Sequence, residues 1–286
     1  MKNLLNILIV DILIVILVLA AHASSVTFSD TWANSKGIDV TDGGLWTRQV
    51  VASGSINISS SIVAAGDNYS LHCTASSASN GGSAYVEKDF ATALQTAYAS
   101  CEVYFVSFGD PVWTNNGSAQ MTRFLRLRGS QEGNAIACAA ITLVDGVPEW
   151  CLHYRDGNQI FHCIPTASHL PKLDTWYTVT AGGFVDSTHG WSTLWVNGAM
   201  LIQETNLNNS AIGEVNALQV GIPTANVNLQ QAEVYIDNAQ FSTTSLITTS
   251  PISLPIIIII IVVIAVVAVA IVWVRKHAYS RRKSKS

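Results

Sequence analysis

The chain has 286 residues, enough for one or two domains, and 49% of them are hydrophobic. The mean hydropathy of +0.33 is high for a soluble protein. Between Ser24 and Leu254, eight Lys and Arg are outnumbered by eighteen Asp and Glu. This acidic balance argues against a basic nucleic-acid-binding surface, so no nucleic-acid partner is expected.

The N-terminus has the pattern of a helical secretory signal peptide. Lys2 precedes an apolar run from Leu4 to Ala20, and Ala21-His22-Ala23 supplies small residues for cleavage after Ala23. Asp11 interrupts the run, and a carboxylate there opposes insertion. Residues 1–23 are therefore predicted to be a signal peptide, with an uncleaved signal anchor as the alternative. Both interpretations place the middle of the chain outside the membrane.

Residues 24–241 are predicted to form an all-β ectodomain. Short runs of Val, Ile, Thr, Tyr and Phe alternate with Gly, Asn, Asp and Ser, which is typical of a sandwich or barrel. About thirteen strands suit two stacked sheets. The predicted strands are Gly54–Ser59, Tyr69–Ser76, Ala84–Phe90, Ala99–Phe108, Met121–Arg128, Ala135–Val144, Glu149–Arg155, Gln159–Ile164, Trp176–Gly182, Trp191–Val196, Ala199–Thr205, Ala217–Ile222 and Gln231–Phe241.

Three hairpin turns are predicted where the residues tolerate positive φ. They are Asp145-Gly146, Asp156-Gly157-Asn158 and Asn197-Gly198. If the middle loop has three residues, Arg155 faces Gln159 and Cys151 faces Cys163. Cross-strand neighbours are close enough for a disulfide, so a Cys151–Cys163 bond is predicted. A loop one residue longer or shorter would abolish that pairing.

Other features of this region agree with export. Four Asn-x-Ser/Thr sequons are predicted glycosylation sites, at Asn57, Asn68, Asn116 and Asn208. All five cysteines lie in the same region, where export permits disulfides. Their odd number leaves at least one thiol unpaired within the chain.

The C-terminal end predicts a membrane anchor. Residues 242–253 are a Ser/Thr/Pro stalk, and residues 254–274 are a predicted transmembrane helix. Its uncharged part, Ile256–Val274, spans about 28 Å at ~1.5 Å per residue, close to the ~30 Å hydrocarbon core. Six Lys and Arg follow in residues 275–286, which makes that tail cytoplasmic. The predicted location is the cell membrane, with a single span and the ectodomain outside.

Motifs spread over residues 26–242 occur in a recognisable order. Phe28-Ser29-Asp30 is followed by Trp46-Thr47, Asp174-Thr175-Trp176-Tyr177-Thr178-Val179 precedes Thr193-Leu194-Trp195-Val196-Asn197-Gly198, and Val234-Tyr235-Ile236-Asp237-Asn238 comes last. This order resembles the concanavalin A-like lectin/glucanase (laminin-G-like) superfamily. The resemblance implies an all-β, two-sheet antiparallel jelly-roll sandwich. Members of the superfamily bind glycans, cleave them or act as adhesion modules, so the fold leaves function open.

The resemblance raises two enzymatic alternatives. Retaining β-glucanases of this superfamily carry Glu-x-Asp-x-x-Glu on one strand, so that two carboxylates flank the glycosidic bond. The nearest match is Glu87-Lys88-Asp89-Phe90-Ala91-Thr92, in which Thr92 replaces the last acid. Lyases of this fold have Arg-rich and His-containing strands, which Arg126-Leu127-Arg128 and Gln159-Ile160-Phe161-His162 match imperfectly. No catalytic residue is assigned, and enzymatic activity stays open.

Strand alternation supplies candidate binding residues. It places Phe124 and two arginines on one face of their strand, and a second mixed set on one face of Glu149–Arg155. If the cations converge on the concave sheet, they could bind an acidic glycan; Arg–Glu pairs on a solvated face are the plainer interpretation. A tryptophan in a predicted loop could stack on a sugar ring or pack over the sandwich edge. The predicted binding residues are Trp113, Arg126, Arg128, Glu149, His153 and Arg155.

Calcium is the cofactor that the resemblance implies. Asp30 and Asp237 fall on the first and last strands, which are often neighbours in such sandwiches, so they are predicted metal residues. Calcium takes six to eight oxygen ligands, and two acids do not complete a site. The leading functional hypothesis is a surface module that binds glycan or another surface protein. A membrane-anchored hydrolase or lyase and a structural cell-envelope component are the alternatives.

Overall fold

The computed structural model describes residues 26–32, 38, 40, 44–76, 82–110, 121–130, 133–225 and 230–246. The predicted signal peptide, transmembrane helix and tail lie outside these residues, as does the stalk from residue 247 onward. Within the described ranges, no helix is both long and apolar enough to cross a bilayer. The chain divides into two compact units, Met1–Ile247 and Thr248–Ser286, and the described residues all belong to the first.

The described residues form β-strands joined by turns and one short 3-10 helix. The strands are β1 (Val26–Asp30), β2 (Arg48–Ala52), β3 (Gly54–Ser59), β4 (Ser70–Ala75), β5 (Gly82–Leu94), β6 (Thr96–Phe108), β7 (Thr122–Arg128), β8 (Ala135–Val144), β9 (Val147–Arg155), β10 (Phe161–Thr166), β11 (Trp176–Phe184), β12 (Gly190–Val196), β13 (Ala199–Leu207), β14 (Val215–Ala225) and β15 (Ala232–Ser242). The 3-10 helix is Ser210–Ile212.

Two antiparallel sheets account for all the strands. Sheet A has the order β13-β12-β11-β6-β15-β4-β3, with β1 also paired to β15. Sheet B has the order β10-β9-β8-β7-β14-β5-β2. Some neighbouring strands are consecutive in the chain, but each sheet also pairs distant segments, as in β6-β15 and β7-β14. The prediction of an all-β protein with two antiparallel sheets is confirmed.

The hydrophobic core lies between the inner faces of the two sheets, and β9 shows how alternation builds it. Trp150, Leu152 and Tyr154 enter the main core. Cys151, on the opposite face, belongs to a small separate cluster with Met121, Ala140 and Cys163. Successive side chains of a strand point to opposite faces, so the alternation predicted for this strand is confirmed.

Residue pattern did not predict two of the strands, β2 and β1, although the family resemblance placed Asp30 on a first strand. In β2, Arg-Gln-Val-Val-Ala, most residues are exposed, and no alternation of apolar and polar residues marks a buried face. It is an edge strand that pairs only with β5 in the described sheet. The short β1 is paired along the final residues of β15. Tertiary pairing therefore gives these segments a strand conformation that their own pattern does not indicate.

Two of the predicted hairpins are confirmed at tight turns with positive φ. Asp145 and Gly146 have φ of 51° and 80° between β8 and β9. Asn197 and Gly198 have φ of 50° and 78° between β12 and β13. Asn, Asp and Gly adopt this region most readily, which explains why these turns could be predicted.

The third hairpin differs from the prediction. Its loop has five residues, 156–160, so Arg155 faces Phe161 instead of Gln159. The carboxylate of Asp156 accepts hydrogen bonds from the backbone N–H groups of Asn158 and Ile160, both at 2.9 Å, which closes the longer loop. The predicted register was therefore wrong by two residues.

The longer loop changes how the cysteines meet. Cys163 faces His153, and Cys151 faces Pro165, so the cysteines are diagonal rather than direct neighbours. They are nevertheless joined in a disulfide, with a Cα–Cα distance of 6.1 Å. Diagonal positions on one face of a hairpin remain within bonding reach. Cys73, Cys101 and Cys138 are buried free thiols.

The predicted face of Phe124 was also wrong. A register shift lies between Arg123 and Leu125 where β7 pairs with β8. Phe124 packs into the core, with its ring 5.3 Å from that of Phe105. The irregularity places Arg123 on the outer face, since its guanidinium reaches His153 there.

Candidate functional site

A continuous row of residues crosses the outer face of sheet B, the face away from the core. One residue from each of the seven strands contributes, and each pairs directly with the next. From β10 to β2 the row is Cys163, His153, Cys138, Arg126, Gln219, Glu87 and Arg48. Five of these residues are polar or charged side chains other than cysteine, so a row of polar groups crosses this face from one edge strand to the other.

At one end of the row, the carboxylate of Glu87 is paired with donors from other side chains. Glu87 is buried and forms ion pairs with Arg128, at 3.1 Å, and with Arg48, and it accepts a hydrogen bond from Gln219. Burial works to raise the pKa of Glu87, but the Gln219 hydrogen bond and the two arginines outweigh it, so the pKa lies below its ordinary value. A carboxylate held ionised in this way is unsuited to protonate a leaving group.

Arg128 belongs to that engaged end. Its guanidinium bonds Glu87 and also Asp89, at 2.9 Å, and donates to the backbone carbonyl of Gly129. The Arg–Glu pairing that the sequence left as the plainer interpretation therefore describes Arg128. It does not describe Arg126.

In the middle of the row, and at Arg123 beside it, nitrogen atoms of basic side chains are buried without hydrogen-bond partners among the described residues. Within the part of the chain that the structure describes, the buried atoms Nε and Nη2 of Arg126, Nε of Arg123 and Nδ1 of His153 have no hydrogen-bond partner. Nη2 of Arg123 lies 3.5 Å from Nε2 of His153. A buried charge without a partner is costly, so this arrangement needs an explanation.

The titration behaviour of these groups reflects the same environment. Burial lowers the pKa of Arg123 to about 10, with a further contribution from Arg126. The pKa of Arg126 is lowered mainly by burial as well. Burial, and then the charges of Arg123 and Arg126, hold the pKa of His153 well below 6.5, so its imidazole is neutral at physiological pH.

An exposed aromatic ring lies next to this cluster. Phe161 is 41% exposed, and its ring centroid lies 5.2 Å from that of His153 with an interplanar angle of 23°. Arg155 places its guanidinium carbon 4.1 Å from the centre of the Phe161 ring. Arg155 also donates to Oδ1 of Asn134, at 2.6 Å, and to the carbonyl of Gln159. It therefore supports Phe161 and the 156–160 loop.

The remaining predicted binding residues lie apart from the cluster. Glu149 is on the same face of β9 as His153 but four positions away, about 13 Å along a strand, and the half-cystine Cys151 lies between them. Burial and the charge of Asp145 raise the pKa of Glu149. Trp113 lies outside the described residues.

The two predicted metal residues lie on neighbouring strands, yet both carboxylates are occupied by protein donors. Asp30 accepts hydrogen bonds from the backbone N–H of Trp32 and from Nε1 of Trp46, at 2.8 and 2.7 Å. Asp237 accepts from the backbone N–H groups of Ala64 and Asn238. Among the described residues, no group of three or more His, Cys, Asp or Glu side chains could hold a metal ion. Calcium therefore stays a prediction.

Three of the four predicted glycosylation sites can be located. Asn57 is exposed on β3, Asn68 is exposed in the loop before β4, and Asn208 is exposed between β13 and the 3-10 helix. Asn116 lies outside the described residues. Their exposure leaves the three side chains accessible to modification.

The fold and this site define a two-sheet antiparallel β-sandwich with a partly unpaired cationic cluster on the outer face of one sheet. No family model matches the chain, and no curated protein matches it. A solved structure described as a conserved carbohydrate esterase from a Shiga toxin-encoding bacteriophage is similar over 78% of this chain and 100% of its own, with 14% identity and a TM-score of 0.50.

Two further solved structures show weaker likeness. "Cellulose induced protein, Cip1" has 13% identity and a TM-score of 0.49, over 76% of this chain and 97% of its own. A sialidase has 13% identity and a TM-score of 0.46, over 78% of this chain and 19% of its own. At such identities the likeness concerns the fold alone. The likeness to the esterase structure is consistent with the two-sheet β-sandwich described above.

Proposed function

We propose that this chain is a membrane-anchored surface module that binds glycan through the outer face of sheet B. The anchor is residues 254–274, with residues 275–286 in the cytoplasm and a signal peptide at residues 1–23. Support for this topology comes from the uncharged C-terminal stretch and the six cations that follow it. The sandwich would then lie outside the cell.

One observation carries the glycan-binding proposal. On the outer face of sheet B, buried hydrogen-bond donors and a buried acceptor lack partners among the described residues. Arg123 and Arg126 offer N–H donors, and Oε1 of Gln219 offers an acceptor. A ligand that satisfies both kinds must itself carry acceptors and donors in close spacing. Sugar hydroxyl groups do both, since each donates one hydrogen bond and accepts others.

Phe161 supplies the apolar half of a sugar-binding site. Its half-exposed ring adjoins His153 at the edge of the cluster. Aromatic rings bury large area, so this one can stack on the C–H face of a pyranose while the polar groups bond its hydroxyls. A site of this kind combines an apolar surface with a few placed polar groups.

Binding of the full-length chain, in detergent, to a glycan array tests the proposal. For a glycan that binds on the array, Phe161→Ala should lower the affinity roughly fivefold, the equivalent of about 1 kcal/mol of stacking. Met200→Ala is the matched control, because Met200 is 52% exposed on β13, at an edge of sheet A. An array without any positive glycan would overturn the proposal. Equal loss of glycan affinity in Phe161→Ala and Met200→Ala would show that the glycan does not bind at Phe161.

A second candidate, a membrane-anchored polysaccharide lyase, is favoured by one observation. The neutral imidazole of His153 lies beside the guanidinium of Arg123. A base next to a group that can neutralise a carboxylate is what lyase chemistry requires. Lyase activity would release unsaturated uronate, measured by ultraviolet absorbance, and His153→Ala would abolish it. Absence of product from the unmodified protein would exclude this candidate.

A further inference from the structure

Positive charge exceeds negative charge at the unpaired part of the sheet B face. Its nearest acids, Glu87 and Asp89, are engaged by Arg128, and Glu87 also by Arg48. The charge of Arg126 lowers the pKa of Arg123, and both arginines act to lower the pKa values of His153 and Cys138. Two guanidinium groups therefore share one small buried region without a described carboxylate bonded to either.

We propose, building on the glycan-binding function above, that the ligand is an acidic sugar whose carboxylate binds between Arg123 and Arg126. The unpaired Nε and Nη2 of Arg126 are the two nitrogens along one edge of its guanidinium. That edge forms two parallel hydrogen bonds with the two oxygens of a planar carboxylate. Nε of Arg123 is a further unpaired donor.

Gln219 indicates which ligand group lies next to the bound carboxylate. Its Nε2 donates to Glu87, an ionised carboxylate that can only accept, and this fixes the orientation of the amide. Oε1 is thereby the acceptor that remains, buried and unpaired next to Arg126 in the row. It requires a donor on the ligand, and a sugar hydroxyl next to the carboxylate supplies one. The site thus matches a sugar acid of the uronate type.

His153 fits the same ligand. Its Nε2 faces the donor Nη2 of Arg123 and so acts as an acceptor, which leaves Nδ1–H as a donor without a partner. Phe161 stacks on the other side of this imidazole and remains 41% exposed. Arg123 is half-buried, whereas Arg126 is nearly fully buried. The carboxylate would therefore enter beside Arg123 and Phe161 and reach Arg126 within.

The test is isothermal titration of the full-length chain in lipid nanodiscs with three oligosaccharides of equal length: uronate-containing, sulfated and neutral. We expect the uronate ligand to bind most tightly. Arg126→Gln should lower the affinity for the uronate ligand at least tenfold and that for the neutral ligand by a clearly smaller factor, because Gln still donates to a hydroxyl but has no charge for a carboxylate. Arg126→Lys should recover only part of the loss, because Lys keeps the charge but lacks the two-nitrogen edge. Lys172→Gln, which removes an exposed charge outside the row, is the control and should have no effect.

The other possible binding results contradict different parts of the proposal. Equal binding of uronate and neutral ligands, with no effect of Arg126→Gln, overturns the carboxylate site but leaves glycan binding standing. Preference for the sulfated ligand overturns the planar-carboxylate match. Failure of all three ligands, with failure on a glycan array, overturns the glycan-binding function itself. If Arg126→Gln does not fold, the salt dependence of the unmodified protein decides: added salt should weaken uronate binding and spare neutral binding.

Discussion

Glu87 and Arg126 lie in the same buried row, each one strand from Gln219, but only one of them is neutralised by the protein. Glu87 has two arginines and an amide donor around its carboxylate. Arg126 has two guanidinium nitrogens without a hydrogen-bond partner in the described ranges. Native proteins pair buried charges almost without exception, so the contrast distinguishes a structural residue from a candidate for ligand binding.

Asp237 gives a prediction for pH dependence. It is fully buried, and burial, together with the charges of Asp67 and Glu102, raises its pKa from 3.8 to about 7 despite the backbone hydrogen bonds it accepts. The unfolded chain releases this proton near pH 3.8, whereas the folded protein holds it to about pH 7. The contribution to stability is therefore full below pH 3.8 and is lost as the pH rises to about 7.

Thermal unfolding of the full-length chain across that pH range checks this. Asp237→Asn cannot titrate, so its Tm should fall less with rising pH than that of the unmodified protein. Asp174→Asn replaces an exposed acid, and its Tm should change with pH in the same way as that of the unmodified protein. Identical slopes for all three proteins would contradict the assigned cause.

At the scale of secondary-structure elements, the edge strand β10 depends on the Cys151–Cys163 disulfide. β10 pairs with β9 alone and has no fully buried residue, so few contacts hold it in sheet B. The disulfide closes a sequence separation of 12 residues, which in the chain-entropy account stabilises the fold by about 3 kcal/mol.

Replacing both cysteines by Ala should lower the free energy of unfolding by about 2–3 kcal/mol. Backbone amides of β10 should exchange with deuterium faster than those of β8, which has neighbours on both sides. Because Phe161 is the first residue of β10, glycan binding should weaken as well. Unchanged exchange in β10 would show that backbone pairing alone is enough to hold this strand.

Two irregular elements also decide the composition of the site. The five-residue loop 156–160 moves Phe161 next to Arg155 and His153, and the register shift in β7 puts Arg123 on the outer face. A three-residue turn would have placed Gln159 opposite Arg155, and strict period-2 alternation would have placed Phe124 on the outer face of β7. A bulge or a longer loop depends on local hydrogen bonds, such as those to Asp156, which residue periodicity does not report.

For the whole molecule, the prediction is its topology in the membrane. An epitope inserted after Gly198, at an exposed hairpin tip between β12 and β13, should be removed by protease added to intact cells. A second epitope after Ser286 should survive until the cells are permeabilised, because the basic tail stays in the cytoplasm. Loss of the C-terminal epitope first, or protection of both, would contradict a single span with an external sandwich.

The sequence by itself determined the all-β class, two of the three hairpin turns, the inward and outward faces of β9 and two members of the cationic cluster, Arg126 and His153. These features follow from residue periodicity and turn chemistry, which act over a few neighbouring positions. Only the tertiary structure decided which charges are neutralised. Arg48, Glu87, Arg126 and Gln219 become neighbours through strand pairings that join residues 39, 93 and 132 positions apart in the sequence. No local pattern records that Arg128 pairs with a carboxylate while Arg126 does not, among the residues described.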